Sequence, residues 1–197
     1  MLLLQNSLPK LGYTTMMDES KLLGSKEVEA LIKQMSNNLK DDLAQRSIED
    51  PLIIGIHTGG VWIAKQLREH LGIEDQLGVL DISFYRDDFT RIGMNPEVRP
   101  SNIPFSVENR HIILVDDVLQ SGRTIRAALN EIFDFGRPAS VTLAILVDRD
   151  GRELPMQANV FGMKVENPDD HVTLTGPEPL NLIIGQPKAE VRAGTNG

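Results

Sequence analysis

Residues 112–124, IILVDDVLQSGRT, set four apolar side chains directly against two adjacent carboxylates, then a short polar loop with one glycine. Four consecutive apolar residues leave no solvent-facing side, so IILV reads as a buried strand, over 111–115. Helical spacing resumes at about 122–135 and stops at Gly136 and Pro138. A chain with this order is committed to a strand–loop–helix unit whose strand ends on Asp116-Asp117.

The same unit occurs earlier. LIIGI (52–56) is a short apolar run, HTGG follows, and VWIAKQLREHLG places Ile63, Ala64, Leu67 and Leu71 on one face, with Gly72 as a stop. GVLDISF (78–84) and SVTLAILV (140–147) read as further strands. Val28, Leu31, Ile32, Met35 and Leu39 define an amphipathic helix that starts near Ser25, a suitable N-cap. Apolar runs alternating with amphipathic helices predict an α/β fold around a mainly parallel sheet. Ligands of such sheets bind beyond the carboxyl ends of the strands, where both HTGG and DDVLQSGRT fall.

The rest of the 197-residue chain is less regular. Residues 1–16 show no clear period, and 85–110 are polar, contain three prolines and have no sustained pattern. An irregular stretch of that length is expected to be a functional flap or disordered. Beyond Asp148 come short, turn-rich pieces, NVFGMKV, HVTLTG and LNLII, and then a frayed tail. With 41% hydrophobic and 24% charged residues the chain reads as globular. It has no cysteine, which excludes disulfides and thiolate zinc sites and suits a reducing cytoplasm. No apolar run approaches the roughly 20 residues of a membrane span. The start lacks a basic leader. A net charge of −8 argues against non-specific nucleic-acid binding.

The chemistry follows from the loop after Asp117. Backbone N–H groups at a helix start converge on an anion, Gly122 lets the backbone approach it, and Ser121 and Thr124 add hydroxyl donors. Two known phosphate motifs fail. Gly55 and Gly60 have Walker A spacing, but Val61 and Trp62 stand where Lys and Ser or Thr belong, and GxGxxG is absent. Two carboxylates beside a phosphate repel it unless they serve another part of the same ligand. A ribose 5-phosphate resolves this: the phosphate lies in the loop, and the carboxylates accept from two ribose hydroxyls. They also stabilise positive charge that develops on the sugar ring. His57 is read as structural, Trp62 as packing, and His70, His111 and His171, which share no metal-ligand spacing, as surface or turn residues.

IILVDDVLQSGRT resembles the phosphoribosyl pyrophosphate (PRPP) motif of type I phosphoribosyltransferases. DISFYRDD (81–88), IPF (103–105), GRTIRAAL (122–129), GRPAS (136–140) and LVDRDGRELP (146–155) narrow the resemblance to the PyrR family. These are pyrimidine-operon attenuation regulators with uracil phosphoribosyltransferase activity. The resemblance implies a type I phosphoribosyltransferase fold with a flexible flap and a small C-terminal hood. It spans one domain over 17–185, between an N-terminal extension (1–16) and a flexible tail (186–197). It implies that Asp116 and Asp117 hold the ribose hydroxyls, and that Val118, Leu119, Gln120, Ser121, Gly122, Arg123 and Thr124 wrap the 5-phosphate. Thr58, Gly59 and Gly60 would present N–H groups to the diphosphate. Arg86, Arg91 or Arg99, from the flap, would offset its charge. Val147, Asp148 and Arg149 would lie beside the uracil. Magnesium would be held mainly by substrate and water, with no direct protein ligand.

The implied reaction is uracil plus PRPP giving uridine monophosphate (UMP) and diphosphate, in a cytoplasmic homodimer or higher homo-oligomer. A second reading is a sensor of uridine nucleotides that controls attachment to pyrimidine-operon mRNA. One ligand site can serve both. A third is a phosphoribosyltransferase for another base. Two departures stand out. Many relatives carry a basic residue in the diphosphate loop, as in TRG, where this chain has TGG with Gly59. The family's DRGHRELP reads DRDGRELP here, which puts Asp150 and Gly151 in place of Gly and His and is expected to add a carboxylate near the base pocket.

Overall fold

The computed structural model describes residues 20–82 and 100–185. Their elements are β1 (Lys21–Leu23), α1 (Ser25–Gln45), β2 (Leu52–Ile56), α2 (Gly59–Leu71), β3 (Gly78–Leu80), β4 (His111–Leu119), α3 (Arg123–Phe135), β5 (Ser140–Arg149), β6 (Val160–Val165), β7 (His171–Thr175) and β8 (Asn181–Gly185).

Five strands form a parallel sheet in the order β3-β2-β4-β5-β6. The central strands read as unbroken apolar runs because both faces are covered. Ile53, Ile113, Val115, Ala144 and Leu146 pack on one side with α1 and α2. Leu52, Ile54, Ile112, Leu114, Leu143 and Ile145 pack on the other with Ile125, Ala128 and Ile132 of α3. The alternation of neighbours between the two cores is the two-residue period of a strand. After β3 the chain returns to pair β4 on the other side of β2, so the crevice between β2 and β4 is a topological switch point.

A second, antiparallel sheet of order β1-β8-β7 makes the hood. Leu174, Leu180 and Leu182 anchor it to the α1/α2 core. The hood is not C-terminal alone, since Lys21–Leu23 pairs with β8. Trp62 lies against it: a Cβ on Gly176 would be 2.9 Å from the Trp62 ring.

Three expectations are corrected. Gly24, rather than Ser25, is the N-cap of α1, and its N–H donates to Glu27 Oε2 at 2.7 Å, closing the first turn. NVFGMKV is not merely a short, turn-rich piece, because its Val160–Val165 is β6, which extends the main sheet by pairing with β5 from Ala144 to Arg149. The strand 111–115 does not end at the carboxylates. It continues to Leu119, because Asp116, Val118 and Leu119 keep pairing with Ile145, Val147 and Asp148. Of GVLDISF, Gly78–Leu80 is strand, and the part beyond residue 82 lies outside the described residues. Among the described residues no helix is long and apolar enough to cross a membrane.

Candidate active site

The turn from β2 to α2 has only two residues, His57 and Thr58, joined by a cis peptide. Thr58 Oγ1 lies 2.7 Å from His57 Nδ1. The start of α2 presses on β4 because glycines permit it. A Cβ on Gly60 would overlap the Val115 carbonyl oxygen and stand 2.9 Å from Asp116 Cα. A Cβ on Gly59 would overlap the Asp117 carboxylate, 2.6 Å from its Cγ and 2.9 Å from its Cβ. The N-terminus of α2, with its partial positive charge, therefore adjoins the carboxylate pair. Any side chain at position 59 would begin inside Asp117.

Asp116 is only 2% exposed, and its Oδ1 accepts the Asp117 N–H at 3.0 Å. Asp117 is half-buried, and its Oδ1 accepts the Val118 N–H at 2.9 Å. These bonds pin each carboxylate to the backbone that follows it. Because β4 runs on to Leu119, the loop before α3 is just Gln120–Gly122. Gly122 sits at φ +90°, a left-handed conformation that glycine adopts without penalty, and it turns the chain into α3. The Arg123 N–H reaches Ser121 Oγ at 3.3 Å.

A cavity of about 570 Å³ opens at this end of the sheet. Asp116, Asp117, Val118, Leu119, Gln120, Ser121, Gly122, Arg123, Thr124 and Arg149 all line it, together with Glu153, His171 and Val172. Thr58, Gly59 and Gly60 are not in its lining, although Gly59 abuts Asp117. Val147 is fully buried in the core, and Asp148 is turned to Arg152 rather than to the cavity. Asp150 is exposed and also outside the lining, and its N–H donates to the Val165 carbonyl at 2.9 Å. Arg86, Arg91 and Arg99 lie outside the described residues.

Arg149 brings a cation to the cavity, and its hydrogen-bond partners among the described residues are neutral. It donates to Gln120 Oε1 at 3.0 Å and to the Pro168 carbonyl, and its buried Nε has no hydrogen-bond partner among the described residues. A buried donor without an acceptor is costly, and Nε is the one group of this guanidinium that a ligand acceptor would satisfy. Arg123 pairs instead with Glu153 at 2.7 Å. Glu153 and His171 were not expected in the cavity. The Glu153 contact crosses thirty residues of sequence, and the one available signal was its place inside DRDGRELP. His171 arrives on β7 of the hood, and nothing in its local sequence marks that position. Among the described residues no three His, Asp or Glu side chains form a metal cage. A larger hollow, about 1020 Å³, lies at the opposite, amino end of the strands; it has adjacent acids of its own, Glu49-Asp50 and Glu74-Asp75, but its one glycine, Gly72, ends α2 rather than turning the chain into a helix.

The family model of the phosphoribosyl transferase domain matches residues 20–180. The bifunctional protein PyrR of Nitrosococcus oceani is 58% identical over 163 residues, covering 81% of this chain and 92% of that one. The bifunctional protein PyrR of Pseudomonas entomophila is 58% identical over 153 residues, covering 77% of this chain and 89% of that one. Among solved structures, a hypoxanthine phosphoribosyltransferase of Staphylococcus aureus superposes with a TM-score of 0.63 at 19% identity, covering 88% of this chain and 94% of that one. That of Trypanosoma cruzi gives 0.62 at 19%, covering 84% and 95%. At such identities these two show the shared fold alone.

Proposed function

The chain belongs to the phosphoribosyltransferase family and, within it, to the PyrR group, and from that premise we propose that it converts uracil and PRPP to UMP and diphosphate. The observation that carries this reading is the convergence, in one cavity at the carboxyl end of β4, of two carboxylates, a glycine turn and a helix start. Asp116 and Asp117 accept hydrogen bonds from the ribose 2- and 3-hydroxyls. The N–H groups of Gln120–Arg123 and the hydroxyls of Ser121 and Thr124 take the 5-phosphate, which the positive end of α3 favours. Thr58-Gly59-Gly60 offer the start of α2 to the diphosphate. Arg86 and Arg99 add charge against it as it leaves.

The ring nitrogen of uracil attacks the anomeric carbon. The N–C bond forms as the C–O bond to diphosphate breaks, diphosphate departs with the bonding pair, and the proton on that nitrogen is lost. Positive charge grows on the sugar ring between those events, beside two fixed carboxylates that need not reorganise. Positioning of both substrates on one sheet edge supplies much of the remaining acceleration. Of the three residues expected at the end of β5, Arg149 lines the cavity beside the base, and its guanidinium, a donor only, favours the carbonyl oxygens of uracil over an amino group.

Magnesium bound with the diphosphate would offset charge on the leaving group. The paired carboxylates are oxygen donors of the kind it takes, and the cation would be held mostly by substrate and water. The expected outcome is UMP from uracil and PRPP with magnesium present and none after chelation, restored by added magnesium; turnover unaffected by chelation would contradict this use of the cation. The same nucleotide site would also serve regulation of pyrimidine genes through mRNA, in a cytoplasmic homo-oligomer, since a ligand that binds two states unequally shifts them.

A further inference from the structure

After Arg149 the chain turns at Asp150-Gly151 and returns over the loop that follows β4. All three residues of that loop are held by it. The Gln120 side chain takes a bond from Arg149 at 3.0 Å, and its carbonyl accepts from Arg152. The Ser121 carbonyl accepts from the amides of Glu153 at 3.0 Å and Leu154 at 2.9 Å. A Cβ on Gly122 would stand 3.0 Å from Met156 Cγ. Arg152 makes the longest link: one nitrogen donates to the Gln120 carbonyl while another pairs with the Asp148 carboxylate. Leu119 and Asp148 are register partners, so this guanidinium extends the β4–β5 pairing past the end of the ladder. The turn depends on Gly151, which sits at φ +113° with its missing Cβ 3.1 Å from Gln120 Nε2. The departure from the family segment thus falls on this strap.

We propose that Arg152 is a positioning residue for phosphoribosyl transfer: by bridging Asp148 to Gln120 it holds the phosphate loop and Arg149 in one frame. It touches no reacting atom. The sugar-phosphate end and the base end of a ligand then bind to one rigid piece, and loosening the bridge weakens both ends together. This rests on reading the cavity as the PRPP and uracil site.

The test compares Arg152→Met and Arg152→Lys with the unaltered chain, reading KM for each substrate, kcat, Tm and amide exchange at Glu153 and Leu154. Loss of a charged hydrogen-bond bridge is expected to raise KM for PRPP and for uracil about tenfold each in Arg152→Met, with kcat changed less than about threefold. Arg152→Lys recovers part of this, because an ammonium lacks the fork that reaches two acceptors at once. UMP slows exchange at Glu153 and Leu154 in the unaltered chain and does so less in Arg152→Met. Unchanged KM values in Arg152→Met overturn the proposal, including the case where Tm falls, which is a merely structural role. If the unaltered chain makes no UMP, the cavity reading fails instead. Exchange measured with PRPP alone then decides the bridge, and equal protection in both proteins overturns it.

Discussion

Asp117→Asn lowers kcat/KM for UMP formation by about 10²–10³-fold, the usual cost of removing one preorganised electrostatic stabiliser of a transition state. The substitution keeps the shape of the side chain and removes its charge. It also replaces an acceptor with a group that donates through one atom, so one ribose hydroxyl loses its partner. The half-buried position and the bond from the Val118 N–H argue that the fold survives. Asp116→Asn is expected to reduce activity comparably. It also costs stability, since Asp116 is 2% exposed and holds the Asp117 N–H. Steady-state kinetics with a parallel thermal melt separate the two effects. A loss below about tenfold in Asp117→Asn, with the melt unchanged, would remove that carboxylate from the mechanism.

Gly60→Ala is expected to lower stability by about 1–3 kcal/mol, because the added methyl meets backbone rather than a yielding side chain. It collides with the Val115 carbonyl and Asp116 Cα, and neither can move without breaking the β4 ladder. The helix must therefore shift, carrying Gly59 and the N-terminus of α2 away from Asp117. A displacement of about 1 Å at a reacting group costs on the order of 10²-fold in rate, so activity falls further than the melt alone accounts for. Gly72→Ala is the matched control. That residue is at φ +71° with nothing within 4 Å of its missing Cβ, so it incurs backbone strain of about 1–2 kcal/mol and no clash. Its activity stays near that of the unaltered chain. Equal activity losses in the two variants would show that close packing of α2 on β4 does not position the site.

Much of this architecture was legible in the sequence because the central strands are buried on both faces. LIIGI, IILV and SVTLAILV could not be solvent-facing, and the helices between them carry clear stripes, so the parallel sheet and the location of its crevice followed. The carboxylate pair and the glycine turn were legible for the same reason: they break the apolar pattern of a buried strand, although β4 itself runs on to Leu119. What escaped depends on pairing rather than pattern. Asp116-Asp117-Val118-Leu119 looks like a loop from its polarity, yet it stays in the ladder because β5 runs alongside as far as Arg149. β1 has three residues, too few for any period, and is a strand only because β8 lies beside it. Lys21–Leu23 and Asn181–Gly185 are far apart in the chain, and no local signal joins them. Arg152 and Glu153 were visible as part of a family segment, but their grip on Gln120–Arg123 is a contact between two strand ends that only the fold brings together.

The central claim is that the cavity at the carboxyl end of β4 transfers a phosphoribosyl group to uracil. The most direct measurement incubates the purified chain with PRPP and magnesium and, in turn, uracil, orotate, hypoxanthine and adenine, following nucleotide formation beside Asp117→Asn. UMP from uracil alone, lost in the variant, is the predicted result. PRPP binding without reaction of any base would contradict it and leave the cavity as a nucleotide sensor.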